Sequence, residues 1–191
     1  AHATCYGLIA YQTAYLKAHH PAAFMAANLS LVMDDTDKVR ALYDDAVANS
    51  LALLPPDVNA SNYRFEPVDR RRIRYGLGGI KGTGEQAIAS VVAARTADGP
   101  FRDLFEFCRR VDKRLANRRV IEALVKAGAF DSIDPRRSTL FASVGVAIEA
   151  AEHAEASAHQ VSLFGEGTKE TLVPLVTARA FVEVGHHEQV Q

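Results

Sequence analysis

Leu77-Gly-Gly-Ile-Lys-Gly-Thr-Gly-Glu-Gln-Ala-Ile-Ala-Ser-Val-Val92 is the stretch from which the fold can be read. An apolar Ile80 is followed by Lys81, by Gly82-Thr83-Gly84, and then by Ala87, Ile88 and Val91 at the spacing of one helix face. Gly82 and Gly84 can take backbone angles closed to residues with a Cβ, and they let the main chain approach a phosphate. The helix that follows offers free N–H groups and the positive end of its dipole to an anion. Lys81 adds a mobile point charge, and Gly79 and Thr83 complete the turn. This is the layout of a helix-hairpin-helix phosphate clamp, and none of its contacts reads a base, so the expected binding is to backbone and not to sequence. A glycine turn that merely joins two packed helices would use the same residues. A P-loop is excluded because no G-x-x-x-x-G-K-[ST] occurs, and a dinucleotide fold for want of repeated βαβ units.

Charge placement favours the phosphate reading. The whole chain of 191 residues carries a formal charge of -1. Residues 1–60 sum to -3, residues 61–140 to +7 and residues 141–191 to -5, so a basic middle is hidden between acidic ends. Arg70, Arg71, Arg72, Arg74, Lys81, Arg95, Arg109, Arg110, Lys113, Arg114, Arg118 and Arg119 all flank the glycine loop in sequence. Lys113 to Arg119 opens the helix that runs to Lys126, which suggests a second, degenerate helix-loop-helix unit gripping a neighbouring phosphate through Arg118 and Arg119. The alternative for these cations is a solvated helix face, or a surface for an acidic protein.

Outward from this centre the chain reads as mainly α. Helices are expected over 3–19, from Pro21 to about Met33, and after the cluster Asp34, Asp35, Thr36 and Asp37, where Val39, Leu42, Tyr43, Ala46 and Val47 form one inward face. Leu53 to Asn62, with its two prolines, reads as a linker. Tyr63–Phe65 and Ile73–Tyr75 suggest a small β-hairpin with a basic tip. Further helices are expected over 85–96, 101–109, 118–126 and 135–158, with Asn117 as an N-cap and Gly128 past a helix end. The fold class is therefore a helical bundle plus tandem helix-hairpin-helix with a small hairpin. The domains divide at 1–60, 61–134 and 135–165, and residues 166–191 read as a disordered tail.

Other chemistry is sparse. No apolar run reaches membrane-spanning length and the N-terminus does not read as a signal peptide. Cys5 and Cys108 are isolated thiols that suit a reducing, cytoplasmic setting. The His, Cys and Asp groups lack metal-site spacing, and no nucleophile with its base can be nominated, so neither a metal nor a catalytic residue is expected in the chain. Gln160-Val-Ser-Leu-Phe164 is a short linear motif in which an amide and two apolar side chains can dock into a notch and an adjacent pocket. Its alternative role is to tuck a helix end onto the core. The chain opens on Ala1 and reads as a piece of something longer.

Several segments together resemble one family, the C-family replicative DNA polymerases represented by the bacterial polymerase III alpha subunits. They are His2 to Ala27, Leu54 to Asn59, Tyr75 to Glu85, Asn117 to Asp131 and Gln160 to Gly165, in the family's order. The resemblance implies that residues 1–60 end the fingers, with His2 and Tyr6 near the cleft for template and nucleotide. It implies that residues 61–134 hold the duplex, with Gly79, Lys81, Gly82, Thr83, Gly84, Arg118 and Arg119 on DNA. It also implies that Gln160, Ser162, Leu163 and Phe164 dock into the sliding clamp, a motif of the replicative enzyme and not of its error-prone relative. Other replicase subunits are implied partners. The family's Mg-binding palm carboxylates have no counterpart here, so the chain alone is not expected to polymerise DNA. A free-standing helix-hairpin-helix adaptor is the alternative.

Overall fold

A computed structural model describes residues 2–159, and the side chains of residues 3–157. The elements run α1 (His2–His19), α2 (Pro21–Leu31), α3 (Thr36–Ala48), β1 (Ala52–Leu54), β2 (Glu66–Pro67), β3 (Arg72–Arg74), a 3-10 turn (Leu77–Gly79), α4 (Glu85–Asp98), α5 (Leu104–Arg110), α6 (Arg118–Lys126) and α7 (Arg137–His159). The fold is mainly α, as the sequence pattern indicates. The tail from residue 166 and the motif Gln160–Phe164 lie outside the described residues.

The helix starts follow capping chemistry. Asp35, Asp103 and Asn117 stand in extended conformation and accept the N–H of Lys38, Glu106 and Val120 respectively. Asp103 explains why α5 begins at Leu104 and not at Phe101. Pro135 lies outside α7, and its carbonyl accepts the N–H of Arg137. Past α6, Gly128 takes φ +80, and the Arg137–Asp131 ion pair covers the place its Cβ would need.

Two buried clusters hold the chain together. The first gathers Met25, Ala26 and Leu29 of α2 with Ala46, Leu51, Phe65 and Ile73. The second gathers Ile88 and Val91 of α4, Phe107 of α5, Ile121 and Leu124 of α6, and Val144 and Ala147 of α7. Phe107 is its hub, edge-on to Phe101 at 4.9 Å and to Phe130 at 5.0 Å between centroids. Cys108 lies beside it, and burial pushes its thiol up to about 12.

Three expectations need correction. The hairpin pairs Glu66–Pro67, and not the expected Tyr63–Phe65, with β3, and β1 joins it in parallel through Leu53 opposite Ile73, giving a three-stranded sheet of order β1-β3-β2. A lone two-stranded ribbon is marginal in water, and here β2 and β3 pack on α2 while β1 packs on α3. The segment read as a linker is a fastened strap. Val58 is fully buried and donates its N–H to the carbonyl of Ala129, while Ser61 Oγ accepts the N–H of Asp57. On α3 only Ala46 is buried, with Val39 and Leu42 half-buried; Tyr43 and Val47 face solvent because α2 and β1 cover a single narrow stripe.

α1 stands apart. Tyr6, Leu8, Ile9 and Tyr11 are each more than half exposed, and among the described side chains none of α1 enters either buried cluster. It packs on α2 and is tied to α3 by Lys17 and Asp45 at 3.0 Å.

Candidate nucleic-acid interface

The site is built on the link between β3 and α4. The 3-10 turn Leu77–Gly79 leads into Ile80 and Lys81, Gly82 then reverses the chain at φ +96, and Gly84 is the N-cap of α4. A Cβ on Gly82 or on Gly84 would meet nothing within 4 Å, so both present open backbone to solvent. Gly84 has no side chain to cap α4. The N–H groups of the helix's first turn thus lack an internal acceptor, unlike those at the starts of α3, α5 and α6. Lys81 is exposed beside them, and Glu85, also exposed, is the acidic group of that turn. The arrangement can hold an anion by main-chain N–H groups with a cation close by.

Two of the expected residues act inward. Thr83 is buried, and its hydroxyl lies 2.6 Å from the carbonyl of Leu77 and 2.7 Å from that of Ile80, so it fastens the loop to the preceding turn. Gly79 is half-buried, and a Cβ there would meet Tyr75 at 3.1 Å and Phe65 at 3.2 Å. Lys81, Gly82 and Gly84 are the members the loop presents outward.

The two hairpins differ from the sequence reading. The first unit is the reduced one, its leading helix no more than the three-residue 3-10 turn, whereas the second has full helices in α5 and α6. The second hairpin nevertheless satisfies itself. Asp112 Oδ1 accepts the N–H of Arg114, Asp112 O accepts those of Leu115 and Ala116, and Asn117 caps α6. The N–H groups of Arg114, Leu115, Ala116 and Val120 are thus occupied, and an anion there would also meet the side chains of Arg118 and Arg119, both exposed. Asp112 N–H donates to Ser90 Oγ of α4 at 3.1 Å, which locks the second hairpin against the first unit.

The basic middle does two kinds of work. Arg95 points in, donating to the carbonyls of Val58 and Ser61 and to Asn62 Oδ1, and burial pulls its pKa down against the opposing pull of Asp57 and Glu66. Arg110 donates to the carbonyls of Ala94 and Gly99 and lies 4.6 Å over the Phe101 ring. Arg71 and Arg74 bond the carbonyls of Asn49 and Pro55, Arg72 pairs with Asp69, Lys113 with Glu155 at 2.9 Å and Arg118 with Glu122 at 2.7 Å. Among the described cations that flank the loop in sequence, Arg70, Lys81, Arg109 and Arg119 are exposed and have no hydrogen bond or ion pair. Composition alone cannot separate these groups, because a cation that ties a strap and one that meets solvent are the same letter.

Sequence reading also missed Asn59, which exchanges two hydrogen bonds with the Phe101 backbone, and Tyr63, which lies under Gly78. The available signal was Asn59 following two prolines in a stretch otherwise taken as loop. Of the proposed cleft residues, Tyr6 is exposed on α1, while His2 starts that helix with its side chain outside the described ones. Among the described residues no three His, Cys, Asp or Glu side chains gather to hold a metal, and no helix is long and apolar enough to cross a membrane.

A glycine-led helix start, a second hairpin packed on it and a shared core define a helix-hairpin-helix protein, and residues 50–140 match the family described as "Helix-hairpin-helix motif". Over 164 residues, 86% of this chain and 14% of the relative, the sequence is 52% identical to DNA polymerase III subunit alpha of Neisseria meningitidis serogroup B. It is 46% identical over 167 residues, at the same coverage, to the proteins of that name from Vibrio cholerae and Escherichia coli K12. The chain thus matches one segment of the DNA polymerase III alpha subunits, and it spans 14% of the length of these curated relatives.

Proposed function

We propose that the chain is the duplex-holding and clamp-docking part of a bacterial replicative DNA polymerase. One observation carries the DNA reading: the uncapped start of α4 with Lys81 beside it, in a chain about half identical to polymerase alpha subunits. Residues 61–134 hold the duplex backbone, residues 1–60 end the fingers with His2 and Tyr6 toward the cleft, and residues 135–165 carry the clamp motif at the end of α7. Template-directed synthesis, its Mg, the other replicase subunits and the cytoplasmic setting belong to the whole polymerase.

Duplex binding is expected to be independent of sequence and steeply salt-dependent. If each of the four unengaged cations neutralises one phosphate, log K against log salt should fall with a slope of roughly -4, about 0.9 for each phosphate. Lys81→Ala should reduce that slope by about 1 and weaken binding severalfold, read by fluorescence anisotropy on unrelated duplexes. Affinity that is equal at 50 and 200 mM salt refutes the reading. For the clamp, replacing Leu163 and Phe164 by Ala should weaken capture by an immobilised sliding clamp at least tenfold and leave DNA affinity unchanged, since hot-spot side chains of this kind carry most of a short peptide's binding. Undiminished capture refutes the assignment.

A further inference from the structure

The glycine turn of the phosphate loop rests on aromatic rings. A Cβ added to Gly78 would lie 2.5 Å from Tyr63 Cε2, 2.7 Å from Cδ2 and 2.8 Å from Cζ, against the flat of the ring. Phe65 and Tyr75, with centroids 4.5 Å apart, stand beneath Gly79. The backbone is fastened at the same level, with Leu77 N–H donating to Asn62 O at 2.8 Å and Gly78 N–H to Tyr63 O at 2.9 Å. These rings come from both cores. Tyr63 packs against the cluster of α4 to α7, while Phe65 and Tyr75 belong with the cluster of α2 and the sheet. The turn therefore sits on the seam between the two halves, held from below at a height set by ring thickness.

We propose that Tyr63 and Gly78 are positioning residues for the phosphate loop: the ring and the missing side chain together set how far Lys81, Gly82 and the first turn of α4 stand out toward a DNA backbone. The inference rests on the DNA reading above and goes beyond it by assigning loop placement to two residues outside the Lys81–Gly84 loop itself. The physical ground is close packing. Tyr63 is backed by the α4–α7 core, so a methyl 2.5 Å from its ring displaces the turn as well as the ring, and the displacement carries into the open loop at Gly82 and Gly84.

The test is a size exchange in the full chain, read by duplex anisotropy and by thermal unfolding. Gly78→Ala should lower duplex affinity about tenfold and flatten its salt slope, because fewer phosphate contacts form at once. Combining it with Tyr63→Leu, which opens room for the methyl, should restore affinity to within about threefold of the unaltered protein. A merely structural role would not give that recovery. Where Gly78→Ala does not fold, Tyr63→Leu alone decides, since a folded protein with severalfold weaker binding supports the proposal and unchanged binding overturns it. Gly78→Ala that folds and binds with unaltered affinity and slope also overturns it, as does a folded double variant no better than Gly78→Ala. Failure of the unaltered protein to bind any duplex would instead sink the DNA reading itself.

Discussion

Gly84→Asp should make the protein more stable and about a hundredfold weaker for duplex DNA. Gly84 has φ -84 and ψ 155, ordinary extended backbone for any residue, and an added Cβ meets nothing within 4 Å. Aspartate there caps α4 as Asp35 and Asp103 cap α3 and α5, and its charge suits the helix dipole. The expected gain is roughly 0.5–1 kcal/mol, a rise of about 1–4 °C in melting temperature. The same carboxylate occupies the N–H groups that a phosphate would use and repels it. Losing one or two charge-assisted hydrogen bonds costs about 3 kcal/mol, or roughly a hundredfold in Kd. Thermal unfolding and anisotropy on one sample read both signs. Unchanged DNA affinity in a stabilised variant would remove the helix start from the interface.

Asn59→Ala should be the most destabilising single change in the strap. Asn59 Nδ2 donates to Phe101 O at 2.9 Å, and Phe101 N–H donates to Asn59 Oδ1 at 2.8 Å, so one side chain imitates a strand partner for a backbone 42 residues away. Phe101 is 2% exposed, with Arg110 over its ring, so neither orphaned group gains water readily. Two unsatisfied groups at about 1–3 kcal/mol each place the expected loss near 3 kcal/mol, a fall of roughly 6–12 °C. Asn59→Asp should not rescue it, because a carboxylate cannot donate to the Phe101 carbonyl. Chemical denaturation checks both, and a loss under about 1 kcal/mol for the alanine variant would refute the role assigned to the pair.

What the sequence made legible divides along physical lines. The start of α6 at Arg118 followed from Asn117, because caps are local chemistry written in adjacent letters. The glycine loop was legible for the same reason. Partnership across distance was not. β1 pairs in parallel with β3 through a connection of some length, which no turn signal announces, and a Pro-rich strap looks like a linker until Arg95 and Asn59 are seen to fasten it. The cations mislead most, since Arg95 and Arg110 bond buried carbonyls while Lys81 meets solvent. The self-capping of the second hairpin by Asp112 was visible as a letter only; its geometry shows that the N–H groups of Arg114, Leu115 and Ala116 are spent internally.

The bare α1 helix has a consequence for how the isolated chain behaves in solution. Tyr6, Leu8, Ile9 and Tyr11 offer an apolar surface that neither core covers, and such surfaces seek each other more strongly as excluded salts such as sulfate are added. Phosphate contacts weaken under the same change. One titration with such a salt should therefore drive the chain off DNA and toward its own copies at once, so a loss of DNA-bound signal and a rise in particle mass would arise from different elements of the same molecule.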